Sequence, residues 1–290
     1  MSRRGAVLFA AMCVIWGLPY LMIRVAVREL APVTLVFLRT GLAALLLVPL
    51  AARRRELRPL LARWRQLVAY SAIEVAVPWV LLSRAETKLT SSLTGLLIAA
   101  VPLVGALIVS LSGEREWLGA RRWVGLLVGL GGVAAIVGLD LGHVNAVALV
   151  EIGLVAVCYA VGPIILSRYL SDVPPLGVVA ASLGLSAVVY APLAATHWPA
   201  EMPSAHVVES VVGLAVVCSA AAFLIFFALI AEVGPVRATV ITYVNPAVAA
   251  VVGVLLLSER LTIGMVAGFA LVLAGSVLAT GRSPEAVPGP

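Results

Sequence analysis

The feature that most constrains this chain is a series of ten apolar runs, each long enough to cross a bilayer as a helix. About 20 residues at ~1.5 Å each cover the ~30 Å hydrocarbon layer. The runs predict spans over 5–27, 33–52, 66–83, 89–111, 122–139, 146–168, 175–195, 207–230, 236–257 and 262–280. The connections between them are short and leave no room for a soluble domain. Composition agrees: the chain is 62% hydrophobic and only 12% charged. Soluble domains are usually about half apolar and about a quarter charged. The expected fold is an all-α integral membrane protein.

The beginning of the chain, Met1-Ser2-Arg3-Arg4 followed by apolar residues, looks like a signal peptide. The run continues to about Ile23 without an Ala-x-Ala site, so a retained first span is expected. The Pro-rich stretch 281–290 is expected to be disordered.

The net charge of +6 sits almost entirely between the apolar runs. That distribution argues against a nucleic-acid partner and for the positive-inside rule. With ten spans, Arg3, Arg4, the cluster Arg53–Arg65, Arg115, Arg121, Arg122, Arg168, Arg237 and Arg282 share one side. Arg24, Arg28, Arg84, Lys88 and Arg260 take the other, and Arg39 falls inside a span. The first side is expected to be cytoplasmic, with both termini on it. The arginine cluster at 53–65 is expected to touch anionic lipid.

The chain also repeats itself. At a shift of 144, Pro19 meets Pro163, Arg24 meets Arg168 and Pro102 meets Pro246. At 143, Gly125 meets Gly268 and Gly132 meets Gly275. Gly113-Glu114-Arg115 aligns with Ser258-Glu259-Arg260, and Ala85-Glu86 with Ala231-Glu232. The halves are therefore expected at 5–139 and 146–280. Five spans each is an odd number, so the halves must lie in opposite topology. Inverted repeats are a hallmark of secondary transporters that expose one site alternately to each side.

With these features in place, the chain resembles the ten-helix EamA-type permeases of the drug/metabolite transporter superfamily. The carrying residues are Ile15-Trp16-Gly17, Leu38-Arg39, Pro102 followed by Gly113-Glu114-Arg115, and Asn245-Pro246 followed by Ser258-Glu259-Arg260. The late glycines Gly125, Gly132, Gly268 and Gly275 fit as well, and the likeness covers about 5–280. The resemblance implies a bacterial inner-membrane carrier with a cavity between the halves, commonly exporting amino acids or related metabolites. Ala100-Val101 before Pro102 departs from the family's frequent polar or acidic residue there.

Ionisable groups at depth are the first candidates for chemistry, because burying them in hydrocarbon is costly. Glu74 lies near the middle of the third run, with Tyr70 and Pro78 on its helix face and Trp79 beside it. A carboxyl in a low-dielectric surrounding resists ionisation, which suits proton coupling or contact with a cationic substrate. The bland alternative is a protonated acid bonded to a neighbouring helix. Arg39 stays charged and needs a partner. It is expected either to anchor a substrate carboxylate or, as the favoured reading, to form a structural ion pair with the depth-matched Glu151. Trp16, Tyr20, Tyr159, Tyr243 and Asn245 are mid-depth candidates for lining a cavity, with helix packing as the alternative. Trp16 and Tyr159 coincide at the 143 shift. Pro19, Pro102, Pro163 and Pro246 are hinge candidates or static kinks. Glu259-Arg260 reads as turn and capping charge. Gly125-x-x-x-Gly129 and Gly264-x-x-x-Gly268 permit close helix contact, more readily within one chain than across a dimer.

A rival class, the intramembrane enzyme, would need a nucleophile and base or metal ligands at depth. His143, His197 and His206 all fall in or next to loops, and no His-Glu-x-x-His occurs. Cys13, Cys158 and Cys218 lie in apolar runs without CxxC spacing, which reads as packing rather than as a metal or disulfide site. No cofactor is expected. The expected partners are a small-molecule substrate, protons and lipid, in a monomer or homodimer. The expected function is secondary export of amino acids or related metabolites, and the alternative is efflux of cationic amphiphiles.

Overall fold

In a computed structural model, which describes residues 2–111, 120–138 and 145–280, the chain is helical throughout. Nine helices among the described residues are long and apolar enough to cross a membrane, and Ile241–Leu257 is a shorter apolar helix. Together they form ten spans. Span 1 is Arg3–Ala26, span 2 Pro32–Arg53, span 3 Arg58–Ala85, span 4 Ser91–Ile108 and span 5 Arg121–Gly138. Span 6 is Ala146–Tyr169, span 7 Pro175–Thr196, span 8 Ala205–Val233, span 9 Ile241–Leu257 and span 10 Ile263–Thr280. The expected boundaries agree to a few residues, except at the start of span 3. There a 3-10 turn over Arg58–Arg63 lengthens the helix and an Arg63–Asp172 ion pair of 2.7 Å fastens it. Glu114, Arg115, His143 and the tail 281–290 lie outside the described residues.

Contacts at the helix ends show that the spans alternate in direction. Ser2 meets Glu232 and Arg63 meets Asp172 on the face where the chain begins, here the near face. Glu29 meets Ser204, Arg84 meets Glu151 and Ser91 meets Glu259 on the opposite, far face.

Three pairs of spans five places apart pack on each other: 5 on 10, 2 on 7 and 4 on 9. Span 3 packs on span 6, and its counterpart is span 8 on span 1. The 5–10 contact is glycine-made. A Cβ on Gly132 would stand 2.6 Å from the Gly268 carbonyl oxygen, and one on Gly268 2.6 Å from that of Gly132. Gly125 and Gly275 cross in the same way. These glycines act inside one chain, where bare backbone lets the two helices nearly touch.

Two spans are irregular at mid-length. Ser71–Ala76 in span 3 and Gly213–Ala221 in span 8 are π-helical, positions that correspond in the repeat. A π-turn frees carbonyls from the regular ladder and is frequent at functional sites. The Tyr190 hydroxyl donates to the carbonyl of Ala76 at 3.0 Å, supplying one such group.

Candidate functional site

The π-turns and the middles of spans 1, 2, 3, 6 and 8 converge on a polar cluster. Arg39 is its centre. Seven residues into span 2, it lies about 10 Å from that helix's end, and it is 6% exposed. Its Nε donates to Ser219 Oγ at 3.0 Å. Its guanidinium carbon lies 3.6 Å from the centre of the Trp79 ring, a cation–π contact. Tyr20, Tyr159, Cys218 and Glu86 lie within electrostatic reach of it.

The expected pair of Arg39 with Glu151 is not formed. Glu151 accepts from Arg84 Nε at 2.8 Å instead. Span 3 packs along span 6, so the far end of span 3 delivers Arg84 to Glu151, while Arg39 on span 2 turns toward span 8. No carboxylate among the described residues lies within ion-pair distance of Arg39. A buried guanidinium held by a hydroxyl and a π-face keeps an unmet preference for an anion, since planar bidentate carboxylate is its best partner.

Glu74 sits on the span-3 π-turn. Tyr159 lies within electrostatic reach of Glu74 and Arg39, and its hydroxyl interacts with the Trp79 side chain. The Glu74 carboxylate rests on Gly162, where any side chain would collide with it. Its Oε2 is shut from solvent without a hydrogen-bond partner among the described residues. Tyr70 and Cys158 complete its surroundings.

The structure thus brings Arg39, Glu74, Tyr20, Tyr70, Trp79 and Tyr159 into one region. Three candidates fall elsewhere. Trp16 packs on Phe226 and Phe223, at 4.8 and 6.0 Å between ring centres, in an apolar cluster with Met12 and Leu229. Tyr243 points to the near face, its hydroxyl 3.4 Å from Thr280 Oγ1. Asn245 presents main chain to span 1: a Cβ on Gly17 would stand 3.0 Å from its carbonyl oxygen. Of the hinge candidates, Pro19 and Pro102 each follow an interruption of the helix, at Trp16–Gly17 and Ala99–Ala100. Pro163 and Pro246 stand inside unbroken helices.

Sequence reasoning missed three participants. Ser219, a lone hydroxyl in an apolar run, gives no signal until a π-turn aims it at Arg39. Arg84 reads as a loop charge. Glu86 reads only as a repeat anchor, yet it is fully buried. Glu259 does cap a helix as expected, but one belonging to the other half: it accepts from the main-chain N–H of Ser91 and of Ser92, each at 2.8 Å.

Fold and site together define a multi-pass helical membrane protein with a charged cluster at mid-depth. The sequence model of the EamA-like transporter family matches residues 3–138 and again 148–281, and the chain belongs to that family. It is 25% identical over 265 residues to an uncharacterized transporter of Archaeoglobus fulgidus, covering 90% of this chain and 92% of that one. It is 28% identical to the uncharacterized inner membrane transporter YedA of Escherichia coli K12, covering 87% and 82%. The Bacillus subtilis transporter YvbV, also uncharacterized, is 24% identical, covering 97% and 93%. A solved structure titled only "Crystal structure of protein" shares the fold, with a TM-score of 0.68 at 19% identity over 97% of each chain. The chain is a membrane transporter, in the family where the residue pattern had placed it.

Proposed function

We propose that this transporter exports amino acids or related small carboxylates by alternating access, with Arg39 receiving the substrate carboxylate and Glu74 exchanging a proton or meeting the substrate ammonium. One observation carries the reading: Arg39 is buried on the Trp79 face with no carboxylate among the described residues at ion-pair distance. A charge kept at such cost in a span is a functional group by default. Glu74, which shares Tyr159 as a neighbour with Arg39, supplies the opposite sign that a zwitterion needs. The inverted halves, at 5–139 and 146–280, would rock about this cluster. The skew of Lys and Arg puts the near face and both termini in the cytoplasm, and the name of the Escherichia coli relative supports the inner membrane. A cationic amphiphile would meet a guanidinium at the centre of the site, which makes that substrate class the weaker reading.

Purified protein in proteoliposomes tests this against a panel of amino acids and their methyl esters. Free acids should bind and be transported while esters are not, and Arg39→Lys should lose most of the binding with the fold intact. Esters binding as tightly as acids would remove Arg39 from the role.

A further inference from the structure

We propose that Glu86 is a second proton-binding carboxyl of the transport cycle, seated at the far-face gate where Glu259 latches spans 4 and 9 together. This deepens the transport reading above and rests on it.

Glu86 follows the last residue of span 3 and is 0% exposed. Neither of its carboxylate oxygens has a hydrogen-bond partner among the described residues. The neighbouring cation gives it no hydrogen bond: Arg24 of span 1 donates to the main-chain carbonyl of Glu86, not to its carboxylate. The charged and titratable groups facing it are Arg24 and Tyr20 from span 1, Arg39 from span 2, and Glu259 from the connection after span 9. Glu259 is the opposite case. It takes the Ser91 and Ser92 N–H groups and both hydroxyls, at 3.0 Å from Ser91 Oγ and 2.5 Å from Ser92 Oγ. Ser92 Oγ also reaches the Ala250 carbonyl of span 9, at 3.3 Å. Two acids thus lie near one another, the half-buried Glu259 saturated with donors and the fully buried Glu86 with none. When like charges crowd together, the unsupported group takes the proton.

In this arrangement the neutral acid belongs to the latched state. Ionising Glu86 breaks its O–H bond and gives the proton to water on the far side. The resulting carboxylate repels Glu259 and calls Arg24 away from the backbone, which loosens the Ser91–Ser92 latch. Closing reverses each step. Glu86 is 12 residues beyond Glu74, just past the end of the same span, roughly 18 Å by helical rise. Span 3 therefore carries an acid at its centre and is followed directly by an acid at the gate.

The test uses full-length protein in lipid. Infrared spectra of substrate-free wild type are recorded from mildly acidic to alkaline pH, beside Glu86→Gln and Glu74→Gln. A titrating carboxylic-acid band that disappears in Glu86→Gln and persists in Glu74→Gln is expected. In proteoliposomes, Glu86→Gln should keep solute exchange at equal pH but lose proton-driven accumulation by an order of magnitude, and Glu86→Asp should restore part of it. Wild-type pH dependence of accumulation in Glu86→Gln, or no titrating band assigned to Glu86, overturns the proposal. Should wild type carry no amino acid, the transport reading falls while the infrared result still decides Glu86.

Discussion

The two halves are built alike but equipped differently. At the repeat shift of 144, Arg39 corresponds to Leu183, Glu74 to Cys218 and Trp79 to Phe223; at 143, Tyr159 corresponds to Trp16. Equivalent residues also have equivalent neighbours. Tyr159 of span 6 meets Trp79 of span 3, and Trp16 of span 1 meets Phe223 of span 8. Both contacts sit beside a π-turn. One copy of this arrangement is charged and polar, and the other is apolar packing. Duplication therefore supplies the frame, and the chemistry follows from substitutions within one copy. Single-sided placement also limits the cost of desolvation, since among the described residues one guanidinium and one mid-span carboxyl must be kept in the interior.

The sharpest way to break this comparison is to give the apolar copy its missing acid. Cys218→Glu puts a carboxyl next to Ser219, within electrostatic reach of Arg39. If Arg39 is free to receive a substrate carboxylate, the new acid should occupy it. Hydrogen bonds to charged groups contribute about 1.5–3 kcal/mol, so substrate affinity should fall roughly 10- to 100-fold, with the melting temperature unchanged or raised. Thermal unfolding and ligand titration read the two effects separately. Lost stability with retained affinity would mean that Arg39 does not face an open anion site.

The prolines sharpen the comparison on the conformational side. Repeat-related Pro19 and Pro163 stand in different surroundings, as do Pro102 and Pro246. The first-half members follow breaks in spans 1 and 4, while the second-half members lie within continuous helices 6 and 9. In alternating access the two halves exchange conformations, so such inequality is expected of any single state. Pro19→Ala and Pro102→Ala allow their broken helices to close up and should slow turnover several-fold, whereas Pro163→Ala and Pro246→Ala should change it less. Transport rates in matched proteoliposomes decide this. Equal effects within each pair would show that the breaks are fixed features of spans 1 and 4.

These contrasts also show what a linear reading could reach. The ten spans, the alternation and the repeat were legible because hydrocarbon demands long apolar helices and duplication leaves anchors such as Pro19 and Pro163. Arg39 and Glu74 stood out because charge is rare at depth. Their partners did not. The pairing of Arg39 with Glu151 was drawn from equal depth alone, and depth does not say which face a side chain takes. Contact between spans 3 and 6 brings Arg84 to Glu151, and a π-turn rotates Ser219 toward Arg39. A π-turn has no composition of its own, so nothing in Gly213–Ala221 announces it. Glu86 was hidden by its place at a span end, where a charge is normally hydrated.

The far face offers the mildest test, because two carboxylates there hold serines at helix starts in different surroundings. Glu259 holds Ser91 and Ser92, both fully buried. Glu29 accepts from the Ser204 N–H at 2.7 Å and its hydroxyl at 2.6 Å, at the start of span 8, in an exposed position. The two Ser204 bonds hold the Glu29 carboxyl below its ordinary value. A depressed folded-state value stabilises the fold above the unfolded value of about 4.3, and that support is lost as pH falls through the folded one. Glu29→Gln should therefore lower the melting temperature slightly at neutral pH, and the deficit should vanish in acid. Solvent screening keeps this effect small at an exposed site, well below that of Glu259→Gln, which leaves buried donors short of a charged acceptor. A Glu29→Gln deficit that persists undiminished in acid would mean that the bond's geometry, not the carboxylate charge, secures the start of span 8.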